Sequence, residues 1–219
     1  MNKIMLQFAM DGASERTVED ALIMVDKVAA EADIIECGTS FVLKYGMELV
    51  RCLKREHPDK LILADTKIMD GGYHNCATAC KNGADIITVL GVSDRETVRK
   101  ATEAAHDYGR AIMVDFICVE NRLDLLAYCE EIGADYVCVH SGVDVQALGE
   151  TPLAALKEIM VSRKNCKVAV AGGINARTAG DICALRPDVL IAGGSIYKAE
   201  DPAVAAKAIK DVIRQANGE

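Results

Sequence analysis

A chain of 219 residues, 51% hydrophobic and 26% charged, has enough apolar surface for a substantial core in one large domain or two small ones. Its formal charge of −8, with no basic block, argues against nucleic acid or an anionic membrane as a partner. The opening "MNKIMLQFAMDG" has no long apolar run before Asp11, so neither a signal peptide nor a membrane span is expected, and the expected location is cytoplasmic.

Eight short apolar runs follow one another along the chain. They are "IMLQFAM" (4–10), "DIIEC" (33–37), "LILAD" (61–65), "DIITVLG" (85–91), "AIMVDFI" (111–117), "DYVCVH" (135–140), "KVAVAGG" (167–173) and "DVLIAGG" (188–194). Each is too short for a helix and reads as a strand buried on both faces. Amphipathic stretches such as "SERTVEDALIMVDKVAAEA" and "DRETVRKATEAAHDYG" lie between them, with Ser14 and Asp94 as expected N-caps. Gly83, Gly109 and Gly133 stand where helices should close. Eight such units close most economically into a (β/α)8 TIM barrel of the α/β class, one domain over residues 1–219. An open doubly wound sheet is the alternative, but the first strand lacks its GxGxxG turn. Nine cysteines, with no CxxC pair, read as reduced core residues. Cys76 and Cys80 share a helix face, but no histidine stands nearby at ligand spacing.

In such a barrel the chemistry sits at the C-terminal strand ends. There the sequence places Asp11, Glu36, the Asp65-x-Lys67-x-x-Asp70 run, Asp115 and His140, and two Gly-Gly pairs close the last strands. Any one acid could be a cap or a satisfied polar residue; their collection points to a site. Gly172, Gly173, Gly193 and Gly194 suit either tight turns or a backbone cradle for phosphate. Glu36 and Asp65, on adjacent strands, suit Mg²⁺ better than zinc or iron, since no histidine pair stands beside them; one of them could instead only balance Lys67. Alternation along a strand puts Asp65 and Lys67 on one inward face. A lysine held charged by carboxylates is a poor Schiff-base nucleophile but a good stabiliser of a developing oxyanion. His140 is the candidate base; His57, His74 and His106 read as surface residues.

The run "DTKIMDGG" resembles the Asp-x-Lys-x-x-Asp motif of the orotidine 5′-monophosphate decarboxylase suprafamily. With "LQFAMD", "DIIECGT", "VHSGVDVQA", "VAVAGGI" and "IAGGSIY" in matching places, the resemblance covers about residues 4–210. Orotidylate decarboxylases carry lysine where this chain has Glu36. Members with glutamate there are 3-keto-L-gulonate 6-phosphate decarboxylases and 3-hexulose-6-phosphate synthases. The decarboxylases carry arginine at the position of Val143, tend to glutamate at Asp115, and carry arginine at Gly194, so the resemblance favours the synthase branch. It implies condensation of formaldehyde with D-ribulose 5-phosphate through an enediolate. Glu36 and Asp65 would hold Mg²⁺, with Mn²⁺ as a substitute. Lys67 would stabilise the intermediate, and His140 would move the proton. Asp11 and Asp115 would orient hydroxyls, and the four glycines would take the phosphate. It also implies a homodimer with shared active sites, Asp70 reaching the partner's. The alternatives are the decarboxylase, a Schiff-base aldolase acting through Lys67, and a sugar-phosphate-binding protein without turnover.

Overall fold

A computed structural model describes residues 3–146 and 151–219; the final residue of the "VHSGVDVQA" segment lies outside them. Eight parallel strands close into a barrel in sequence order. They are β1 (Met5–Met10), β2 (Ile34–Cys37), β3 (Leu61–Ile68), β4 (Ile86–Leu90), β5 (Ala111–Asp115), β6 (Tyr136–His140), β7 (Lys167–Ala171) and β8 (Val189–Ala192). Helices follow the strands and bury their apolar faces against the outside of the barrel. No helix among the described residues is long and apolar enough to cross a membrane.

Three local expectations differ from the structure. Ser14 lies in a single 3₁₀ turn, Ala13–Glu15, and Thr17 caps the helix Val18–Val28 instead. The reason is a reciprocal capping box: the Asp20 amide donates to Thr17 Oγ1, and the Thr17 amide donates to the Asp20 carboxylate. Strand β3 runs on to Ile68, beyond the expected end at Asp65, through a register shift between Ala64 and Ile68. Asp94 takes the N-cap position of Arg95–Asp107 without a side-chain bond, and Gly83, Gly109 and Gly133 all have positive φ. His57 is half-buried and pairs with Asp26, unlike the exposed His74 and His106. All nine cysteines are free, seven of them buried.

Alternation along the strands gives the barrel interior two tiers. The lower tier is apolar and includes Ile34, Leu63, Ile86, Met113 and Cys138. Two residues further along each strand stand Glu36, Asp65, Thr88, Asp115 and His140. The apolar plug closes the barrel from below, so inward-facing groups that can meet a ligand gather at the C-terminal mouth.

The opposite mouth carries a repeated clamp. Asp33, Asp85, Asp135 and Asp188 each immediately precede an even-numbered strand. Each carboxylate accepts the amide of a residue in the preceding odd strand: Leu6 at 2.7 Å, Ile62 at 2.9 Å, Ile112 at 3.0 Å and Val168 at 2.8 Å. Each also meets a cationic or imidazole partner: Lys210, Lys54 with Arg110, His106 and Arg163 respectively. The exposed parts of these pairs contribute little; the amide-to-carboxylate bonds carry the effect, most of all the buried ones to Asp85 and Asp188. Asp85→Ala is therefore expected to lower the unfolding free energy by roughly 2 kcal/mol, within the range for a hydrogen bond to a charged group. A urea melt checks this, and an unchanged midpoint would remove the clamp from the stability of the barrel.

Candidate active site

The C-terminal ends of the strands surround a cavity of about 730 Å³. Asp11, Glu36, Asp65, Lys67, Asp115, His140 and the four glycines all line it. Asp70 does not: it is exposed, and its carboxylate accepts the Gly71 amide at 2.7 Å.

The floor of the cavity is one connected polar network. Lys67 Nζ lies 3.0 Å from Asp65 Oδ2 and 3.1 Å from Asp115 Oδ2. Asp115 in turn lies 2.9 Å from His140 Nδ1 and accepts the Ile117 amide at 3.0 Å. Asp65 accepts from Thr39 Oγ1 and from Thr88 Oγ1, the latter at 2.8 Å. Thr88 Oγ1 also accepts the Lys67 amide at 3.0 Å. Simple strand alternation does not produce this arrangement. Lys67 has φ 43°, the left-handed region uncommon for any residue but glycine, and the irregularity in β3 coincides with it. Backbone strain of this kind gathers at functional sites.

Besides lining the cavity, Asp115 is tied into the network: its carboxylate is engaged by Lys67, His140 and a backbone amide. An ionised carboxylate only accepts, so in a neutral imidazole it favours the proton on Nδ1, which leaves the lone pair on Nε2.

Electrostatics follow from crowding. Burial works against the Lys67 ammonium, but Asp65 and Asp115 outweigh it and hold the group above the ordinary lysine range. Burial also opposes ionised Asp115, yet the bonds to His140 and the charge of Lys67 bring its carboxyl below the usual range. Glu36 goes the other way: burial first, then Asp65 and Asp11, push it well up. Asp11 is raised by burial and by Asp65. Glu36 and Asp11 are thus short of positive charge, which suits a divalent cation between hard oxygen ligands. Among the described residues no cluster of three or more His, Cys, Asp or Glu is arranged to hold a metal, so a cation at Glu36 and Asp65 would need water or substrate oxygens to complete its shell.

The rim is different in character. Gly172 has φ 116°, and a Cβ there would come 2.7 Å from the Ser141 carbonyl, so only glycine lets β7 turn this close to β6. Ser195 Oγ donates to the Ile174 carbonyl at 2.6 Å, tying the two Gly-Gly loops together. Val143 lines the cavity and is 78% exposed. Gln7, Thr39, Thr88 and Lys198 also line the site and are missing from the residues expected above. Gln7 and Thr88 are visible in the sequence as polar residues inside apolar runs.

A family model described as the orotidine 5′-phosphate decarboxylase / HUMPS family matches residues 5–209. The 3-hexulose-6-phosphate synthase of Staphylococcus epidermidis is 42% identical over 208 residues, covering 95% of this chain and 98% of that protein. The synthase of Staphylococcus aureus is 40% identical over the same shares. The crystal structure of 3-hexulose-6-phosphate synthase from Salmonella typhimurium matches with a TM-score of 0.93 at 40% identity, over 97% of this chain and 100% of that one. A crystal structure of KGPDC from Streptococcus mutans matches with a TM-score of 0.89 at 30% identity, over 97% of this chain and 98% of that one.

Proposed function

The chain belongs to the orotidine 5′-phosphate decarboxylase / HUMPS family, and from that premise we propose that it condenses formaldehyde with D-ribulose 5-phosphate to D-arabino-3-hexulose 6-phosphate, and runs the reverse. The reading rests on similarity to 3-hexulose-6-phosphate synthases across nearly the whole chain. The observation that carries its chemistry is the Asp65–Lys67–Asp115–His140 network, in which a charged ammonium and an imidazole share one carboxylate.

His140 Nε2 takes the C1 proton of the sugar, and the electrons of that C–H bond pass into an enediolate. Lys67 stays protonated and stabilises the new oxyanion; Asp115 steadies the imidazolium. C1 then attacks formaldehyde, and the alkoxide that forms takes the proton back from Nε2. Glu36 and Asp65 would hold Mg²⁺, or Mn²⁺ in its place. When bound, the ion supplies Lewis-acid polarisation of the sugar carbonyl. Asp11, beside Ser40 at 3.3 Å, is placed for a substrate hydroxyl.

The phosphate rests on the amides of Gly172, Gly173, Gly193 and Gly194. Lys198 supplies the cation: its Cδ and Cε lie 3.9 Å from the place of a Cβ on Gly194, and it has no acidic partner among the described residues. Val143 favours formaldehyde, which is small and neutral, over a keto acid whose carboxylate calls for a cationic donor. The exposed Asp70 lies outside the cavity of its own chain, which supports the shared-site homodimer.

The deciding experiment is a product assay on purified protein, with and without EDTA. Ribulose 5-phosphate plus formaldehyde should yield hexulose phosphate, and chelation should abolish it. Faster release of CO₂ from 3-keto-L-gulonate 6-phosphate would replace this reading with the decarboxylase, the reading supported by the Streptococcus mutans relative. Sedimentation of the same preparation should give twice the 23.5 kDa chain mass; a monomer would refute the shared site.

A further inference from the structure

Gln7 is the polar residue of an otherwise apolar strand β1, and its side chain is 1% exposed inside the barrel. It sits beside Ile34 of β2 and Ile191 of β8, where an apolar residue would extend the plug. Its Nε2 donates to Glu36 Oε2 at 2.6 Å. Its own Oε1 is buried and finds no donor among the described residues. A buried amide with an unmet acceptor costs free energy, so its presence calls for a reason other than filling space.

We infer that Gln7 is the positioning residue that restricts Glu36 to one-oxygen coordination and so sets the site for Mg²⁺ over Ca²⁺. The inference rests on the cation reading above. With Oε2 of Glu36 committed to Gln7, Oε1 is the oxygen left for the ion. Mg²⁺ demands a compact octahedron in which each carboxylate gives one oxygen and water fills the rest. Ca²⁺ accepts both oxygens of a carboxylate and a looser shell. The unmet Gln7 Oε1 is an acceptor suited to a water of that shell. Positioning groups behind metal ligands typically govern affinity by 10- to 100-fold.

Gln7→Met keeps the length of the side chain and removes the donor; Gln7→Leu is the second variant. Calorimetric titration with Mg²⁺ and with Ca²⁺, on the full chain without substrate, gives both affinities, and circular dichroism melts report folding. Both folded variants should lose about 10- to 100-fold in Mg²⁺ affinity. Ca²⁺ should lose less, so that the Mg²⁺/Ca²⁺ ratio falls. A purely structural role would not change that ratio. Parent-like affinity and ratio in a folded variant would overturn the inference while leaving the cation reading intact. Equal weakening of both ions would overturn the selectivity. Failure of both variants to fold would make Gln7 a structural residue and overturn it too. If the parent bound neither ion, this inference would fall; if chelation also left the product assay unchanged, the cation reading would fall with it.

Discussion

Alanine in place of Lys67 is expected to lower kcat by about 10²–10³-fold, roughly 3–4 kcal/mol of transition-state stabilisation. The ammonium stands between Asp65 and Asp115 at 3.0 and 3.1 Å, so its position is fixed before substrate arrives. That preorganisation is what makes a cation effective against a charge that develops only during reaction. Its raised pKa gives a second expectation. A lysine held above its ordinary value, about 10.4, remains charged throughout the neutral and mildly alkaline range. An activity loss in that range must then come from another group. Steady-state kinetics from neutral to alkaline pH check both points. Near-parent kcat in Lys67→Ala would exclude the oxyanion role.

Asp115→Asn should be at least as damaging, roughly 10²–10⁴-fold in kcat. The amide nearly matches the carboxylate in size but can turn a donor toward His140 Nδ1. That favours the tautomer with the proton on Nε2, which then has no lone pair to receive the C1 proton. Lys67 also loses one of its two anionic partners. A stability measurement separates these effects from simple misfolding. The Asp115 carboxyl titrates lower in the folded protein than in the unfolded chain. Its ionised form therefore stabilises the fold above the unfolded value, near 3.9 for aspartate, and that contribution is lost as pH falls through the folded value. The stability gap between parent and Asp115→Asn should be widest near neutrality and shrink in acid. A gap that stayed constant or widened in acid, or kcat within a few-fold of the parent, would contradict the network as described.

Much of the barrel is legible in the sequence because parallel strands buried on both faces become continuous apolar runs. The polar upper tier is legible for the same reason: Glu36, Asp65, Asp115 and His140 interrupt those runs at their ends. Two features are not. The irregularity in β3 rests on the positive φ of Lys67, and lysine carries no sequence signal for that conformation. The Lys67–Asp115 contact joins residues 48 positions apart, and only closure of the barrel brings them into reach. The choice of Thr17 over Ser14 as cap is open to reading, since an acid, Asp20, stands three residues after Thr17, while the residue three after Ser14 is Thr17 itself. Gln7 is open to reading as a polar residue within an apolar run, but its partner Glu36 lies on another strand.

The four aspartate clamps at the far mouth bear on how such a protein can diversify. Asp33, Asp85, Asp135 and Asp188 join each odd strand to the even strand after it, giving the barrel four similar quarters fastened from beneath. Val143 and the Gly-Gly loops stand at the other end of the strands, remote from those fastenings. Inheritance can thus act on the two ends separately. Rim side chains such as Val143 are free to drift toward a new aldehyde or acid while the quarters, and the close turn that requires Gly172, keep their alignment. One ancestral scaffold could in this way give rise to descendants with different substrates and nearly superimposable backbones.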